Sequence, residues 1–210
     1  MKTIIINSSP RKNWNTAQLL QEAMRGVKGI GEEAEYIDLY DVSFMGCRSC
    51  LACKRKDAAE PWKCSMKDDL SPVLEKIHKA DRLIIGSPIY FSEPSSHLRA
   101  FMERLAFPAL SYNNYSSTFG GKIDVDVILT MNVNEEFYKK DYEKRFHEYF
   151  APLRFLNGNV RIFAACDTLQ VEDYSKYNMA GFSAEHKQEV HEKVFPLDKA
   201  RAYKIGAREE

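Results

Sequence analysis

The sequence has 210 residues, 44% hydrophobic and 12% aromatic, with 30 Lys plus Arg set against 30 Asp plus Glu. A chain of this length and apolar content buries one sizeable core, which excludes intrinsic disorder and makes two full domains uneconomical. A formal charge of zero withholds the basic excess that nucleic-acid and anionic-membrane binders draw on, so both partner classes are set aside.

The chain opens on Met1-Lys2-Thr3 and runs directly into an apolar segment, with no hydrophobic leader followed by a small-residue cleavage site; a cytoplasmic protein is expected. Gly86, Pro88 and charged residues break the longest apolar stretches well short of the roughly 18 residues a membrane helix needs.

Five short aliphatic or β-branched runs, at residues 3–7, 35–39, 82–86, 125–129 and 160–164, read as strands. Helical spacing links them in order. Ala17, Leu20, Met24 and Val27 share one face, followed by Leu70, Val73, Leu74 and Ile77, then Leu98, Phe101, Met102 and Leu105, then Tyr138, Tyr142, Phe146 and Tyr149. Residues 183–206 continue as helix from a Ser183 cap, with a break at Pro196. Strands alternating with helices predict an α/β fold, a doubly wound parallel five-stranded sheet with helices on both faces, in a single domain covering 1–210. Ligands then bind beyond the carboxyl ends of the strands.

The loop after the first strand, Asn7 to Thr16, offers an anion free N–H groups at a helix start, the hydroxyls of Ser8, Ser9 and Thr16, and the cation Arg11. It contains neither G-x-G-x-x-G nor G-x-x-x-x-G-K-[ST], which disfavours a dinucleotide fold and a P-loop NTPase. Taken alone, it reads equally well as a capped helix start, with Asn15 as N-cap and Gln18 three residues on. The loop after the third strand, Gly86 to Ser96, supplies the aromatic and aliphatic walls that a flat apolar ring requires, in Pro88, Ile89, Tyr90 and Phe91.

The first of these loops resembles the S-P-R-x-x-G-N-T phosphate loop of the flavodoxin-like NAD(P)H-dependent FMN reductases, with Trp14 where the family has Gly. The second is similar to that family's G-[ST]-P-x-Y-[FW] turn. The resemblance, over about residues 1–165, implies the strand order 2-1-3-4-5 and an FMN site. It makes Ser9, Arg11, Lys12, Asn15 and Thr16 phosphate ligands, Pro88, Ile89, Tyr90 and Phe91 ring walls, and Thr130 and Asn132 contacts to the flavin's polar edge. It further implies NAD(P)H as co-substrate, a small-molecule acceptor or redox protein as partner, a homodimer or homotetramer, and no catalytic side chain. The loop Tyr112-Asn113-Asn114-Tyr115 becomes a candidate substrate lid.

Cys47, Cys50 and Cys53 form C-x2-C-x2-C in an irregular insertion at residues 42–67, and Cys64 follows. In a reducing compartment such spacing points away from disulfides. A [4Fe–4S] cluster held by Cys47, Cys50, Cys53 and Cys64, as in the similar iron-sulfur flavoproteins, is one reading; a zinc ion is another, and thiols that are merely structural or redox-sensitive are the third. The histidines show no ligand spacing and are expected at the surface or in packing, while Cys166 is expected as a small buried residue.

Overall fold

The computed structural model describes residues 1–209. Its strands are β1 (Lys2–Asn7), β2 (Glu33–Asp38), β3 (Arg82–Tyr90), β4 (Glu93–Pro94), β5 (Ile123–Thr130) and β6 (Asn157–Ala165). The five long strands are parallel, in the order β2-β1-β3-β5-β6. This is the expected topology. The extra strand β4 is a two-residue antiparallel ladder on the end of β3, pairing Ile89 with Pro94 and Tyr90 with Glu93.

The helices are α1 (Asn15–Gly29), α2 (Leu70–His78), α3 (Ser96–Ala109), α4 (Glu135–Phe137), α5 (Glu143–Phe150), α6 (Ala184–Lys193) and α7 (Phe195–Gly206). Alternation along β1 assigns them to two layers. Ile5 turns to one face with Leu19, Leu20, Ala23 and Val27 of α1 and Ala202 and Ile205 of α7; Ile4 and Ile6 turn to the other, with α2, α3 and Phe146 and Phe150 of α5. Each fully buried Ile or Leu contributes about 1.5–3 kcal/mol.

Gly26 and Gly206 let α1 and α7 cross backbone to backbone, since a Cβ on either would collide with a main-chain carbonyl of the other helix. The crossing is secured from the sheet. The guanidinium of Arg82, fully buried in β3, meets Asp126 of β5 (Nε to Oδ2, 2.6 Å) and donates to the carbonyls of Ile205 (2.6 Å) and Gly206 (3.0 Å).

Several local expectations hold and one is corrected. Ser183 caps α6, its hydroxyl accepting from the His186 N–H at 3.2 Å, and Pro196 sits in the first turn of α7 after a break at Val194. The row of Tyr138, Tyr142 and Phe146 passes through a π-helical stretch, Tyr138–Tyr142, that joins α4 to α5. Asn15 is not the N-cap of α1. Trp14 occupies that position without a side-chain capping bond, and Asn15, already helical and buried, reaches across to another segment.

Candidate functional site

The strand order reverses direction between β1 and β3, and the loops leaving β1, β3, β5 and β6 meet at their carboxyl ends around a cleft of about 230 Å³. Of the predicted residues, Ser9, Arg11, Asn15, Thr16, Pro88, Ile89, Tyr90, Thr130 and Asn132 line it. Two do not. Lys12 turns away to pair with Asp41, and Phe91 points fully into solvent. Phe91 and Ser92 are the two turn residues between β3 and β4, both with left-handed backbones (φ 48° and 65°), and this turn carries the phenyl ring away from the cleft.

The β1 loop is fixed from below. The backbone N–H and the hydroxyl of Ser8 both donate to the Gly86 carbonyl (2.9 and 2.7 Å), and Ser95 Oγ donates to the Ser8 carbonyl (2.8 Å). Thr16 and Thr130 share a buried hydroxyl bond of 2.7 Å, tying the start of α1 to the end of β5. The first N–H groups of α1 have no acceptor within the helix, which is the donor array an anion needs. Arg11 stands across the mouth from Tyr90, whose phenol is pushed up by burial and partly held down by the Arg11 charge.

The cleft's fourth wall comes from a segment the sequence left without a role. Thr168, Leu169, Gln170, Val171 and Met179 line it, as does Met131. The Leu169 carbonyl accepts from Trp14 Nε1 (3.0 Å) and Asn15 Nδ2 (2.7 Å), while Arg11, lying 4.3 Å from the Trp14 ring centroid, donates to the Gln170 carbonyl. Position after β6 was the available signal, because the carboxyl end of every parallel strand borders such a cleft.

Two side-chain oxygens beside the cleft lack a partner. Asn132 Oδ1 and Gln170 Oε1 are both buried without a hydrogen-bond partner, and both residues line the cleft. An orphaned buried acceptor costs about 1–3 kcal/mol unless a ligand donor meets it. Apolar walls at Pro88 and Ile89 and an anion-ready helix start fit a flat ring ending in a phosphate. FMN has these features.

The cysteine loop lies elsewhere, and no cysteine lines this cleft among the described residues. It docks on α3: the Cys47 N–H donates to Glu103 (3.2 Å), Arg104 donates to Cys64 Sγ (3.3 Å) and pairs with Asp68, and Lys54 caps the end of α3 through the carbonyls of Phe107 and Pro108 (2.6 and 3.0 Å). Burial pushes the Cys53 thiol up. The Ala52 N–H, followed by Arg48, holds the exposed Cys50 thiol below its ordinary value. Ser49 and Leu51 both adopt left-handed backbones (φ 54° and 55°), a strain that functional loops often carry. Among the described residues, no three His, Cys, Asp or Glu side chains are arranged to hold a metal ion.

Other expectations change as well. Tyr112 packs on Phe107 and faces Lys54, and no residue of the 112–115 loop lines the cleft. Burial raises the Cys166 thiol to about 12. His186 lies at the surface as expected and is also paired with Asp167 at 2.5 Å. No helix among the described residues is long and apolar enough to cross a membrane.

Comparison with known proteins places these features. The chain is 39% identical over 104 residues to an iron-sulfur flavoprotein of Methanocaldococcus jannaschii, a match spanning 50% of this chain and 51% of that protein. Thus the chain spans about half the length of the curated relatives it matches. Among solved structures it is similar to an NAD(P)H:quinone oxidoreductase from Methanothermobacter marburgensis (TM-score 0.71, 17% identity, covering 100% of this chain and 99% of that one). It is also similar to an FMN-dependent NADH-azoreductase from Bacillus anthracis in complex with FMN (TM-score 0.65, 18% identity, 98% and 100%). At these identities the structures attest the fold. The family model of the NADPH-dependent FMN reductases matches residues 1–146, and the chain belongs to that family.

Proposed function

We propose that this protein binds FMN non-covalently in the cleft and acts as an NAD(P)H-dependent oxidoreductase, delivering electrons to a quinone, flavin, nitro compound or protein acceptor. The observation that carries the reading is a cleft that joins the start of α1, with Ser9, Arg11 and Thr16, to the apolar walls Pro88 and Ile89. Ser9, Thr16 and the first N–H groups of α1 hold the phosphate, with Arg11 at the rim. Pro88, Ile89 and Tyr90 wall the ring, with Asn132 and Gln170 in the surrounding lining. Bound FMN supplies a centre that accepts hydride from a nicotinamide and releases electrons singly or in pairs. The chain's own work is to bind, to orient, and to favour negative charge with fixed donors, so no side-chain nucleophile is assigned.

The reading places the protein in the cytoplasm, where its five unpaired thiols stay reduced, and as a homodimer or homotetramer. Anaerobic addition of NADH or NADPH to the FMN-loaded protein tests it. Bleaching of the oxidised-flavin band, reversed by a quinone, is the expected result; a band untouched by either nucleotide removes the activity.

A second reading, electron carriage with a [4Fe–4S] cluster, is favoured by the C-x2-C-x2-C run, by its strained backbone, and by the names of the relatives matched. It requires the loop from Cys47 to Cys64 to rearrange around iron. Iron and sulfide analysis after anaerobic purification decides it: about four of each per chain supports a cluster, and none removes it. NAD(P)H turnover unchanged in Cys50→Ser takes the loop out of the reductase path.

A further inference from the structure

Helix α6 is docked by a charge. Of its ten residues only Lys187 is buried, at 3% exposure. An apolar side chain there would hold the helix without removing an ammonium group from water, so a buried cation calls for another role. Its Nζ donates to the Asn132 carbonyl at 3.1 Å and pairs with Asp167 Oδ1.

The surrounding contacts converge on one short segment. Asp167 is held at φ 54°, a conformation non-glycine residues keep only when their surroundings enforce it, with its N–H donating to the Val133 carbonyl at 2.7 Å. Thr168 donates to the Met131 carbonyl through its N–H and its hydroxyl, at 3.0 and 3.1 Å. Burial alone would raise the Asp167 carboxyl, yet Lys187 and His186 outweigh it and keep it below its ordinary value. The carbonyls of Met131, Asn132 and Val133 are thereby each clamped, and the middle one is clamped by Lys187. Asn132 lines the cleft, and its side-chain oxygen is buried without a hydrogen-bond partner.

We infer that Lys187 is a positioning residue for the flavin: it fixes the Asn132 backbone so that this residue keeps its place in the wall against which the cofactor is bound. Helix α6 thus completes the site without touching the ligand. The inference rests on the FMN reading above.

A double-mutant cycle tests it, using Lys187→Met, Asn132→Ala and the double variant, with FMN affinity read by fluorescence quenching and the bound flavin's absorption spectrum recorded for each. Lys187→Met and Asn132→Ala are each expected to weaken FMN binding about tenfold, the double variant to bind no worse than Asn132→Ala, and both single variants to shift the spectrum alike. Effects that multiply to about a hundredfold, or an unchanged affinity in Lys187→Met, overturn the inference. If thermal unfolding shows that Lys187→Met does not fold, Lys187→Arg, which displaces the donor while keeping the charge, enters the same cycle under the same criteria. A wild-type chain that binds no FMN takes down the proposed function and this inference together; a wild type that binds FMN with multiplying effects takes down only the inference.

Discussion

Arg11 donates through both terminal guanidinium nitrogens to the carbonyl of Gln170, at 2.7 and 2.6 Å, joining residues 159 positions apart across the mouth of the cleft. The partner is a carbonyl dipole and not a carboxylate, so the cation is held in place while its charge stays available to an anion. Lys12, one residue on, is neutralised by Asp41.

Replacing Arg11 with Ala is therefore expected to weaken FMN binding roughly 10- to 100-fold, the range for losing a charge-assisted contact. Fluorescence titration of FMN reads the change. An unchanged affinity would mean that the phosphate lies away from this loop.

The Arg82–Asp126 pair is a buried charge contact, with side-chain exposures of 0% and 4%. Asp126→Ala leaves the guanidinium uncompensated beneath the crossing of α1 and α7, and a loss of about 3–5 kcal/mol is expected. Urea unfolding measures it. A loss under 1 kcal/mol would show that the carbonyls of Ile205 and Gly206 suffice for Arg82.

Burial raises the Asp198 carboxyl from 3.8 to about 6. Between those values the folded state binds more protons than the unfolded chain, so this group's contribution to stability falls as pH rises through that window. With its partial solvent contact discounted, the cost at neutral pH is on the order of 1 kcal/mol. Asp198→Asn should raise the midpoint of thermal unfolding at pH 7 and leave it nearly unchanged at pH 4. Equal effects at the two pH values contradict the assignment.

Among the five thiols, Cys50 combines exposure with a lowered thiol, whereas Cys166 is pushed up to about 12 by burial. Iodoacetamide at neutral pH should label Cys50 first and Cys166 last, as resolved by peptide mass spectrometry. Labelling of Cys166 at a rate similar to Cys50 would show that the segment after β6 opens readily.

Much of this was legible in the sequence because the parallel strands are buried on both faces and read as unbroken apolar runs, such as Thr3-Ile4-Ile5-Ile6. The topology rule then brought Ser9, Arg11, Thr16, Pro88, Ile89, Tyr90, Thr130 and Asn132 to one edge. The fourth wall was illegible for a physical reason: Leu169 and Gln170 take part through main-chain carbonyls, which any residue carries. Lys12 and Phe91 were misplaced because an acid far along the chain, Asp41, and a left-handed turn decide where their side chains go. Lys187 lay in a helix whose sequence gives no apolar stripe to mark its buried face.

Titration of the purified chain with FMN and, separately, with riboflavin is the most direct measurement of the central claim, that this cleft holds FMN by its phosphate as well as its ring. The account predicts one FMN per chain with quenched fluorescence, and riboflavin binding weaker by at least tenfold, since one charge-assisted contact is worth about that much. No binding of FMN, or equal affinity for the two flavins, would contradict it.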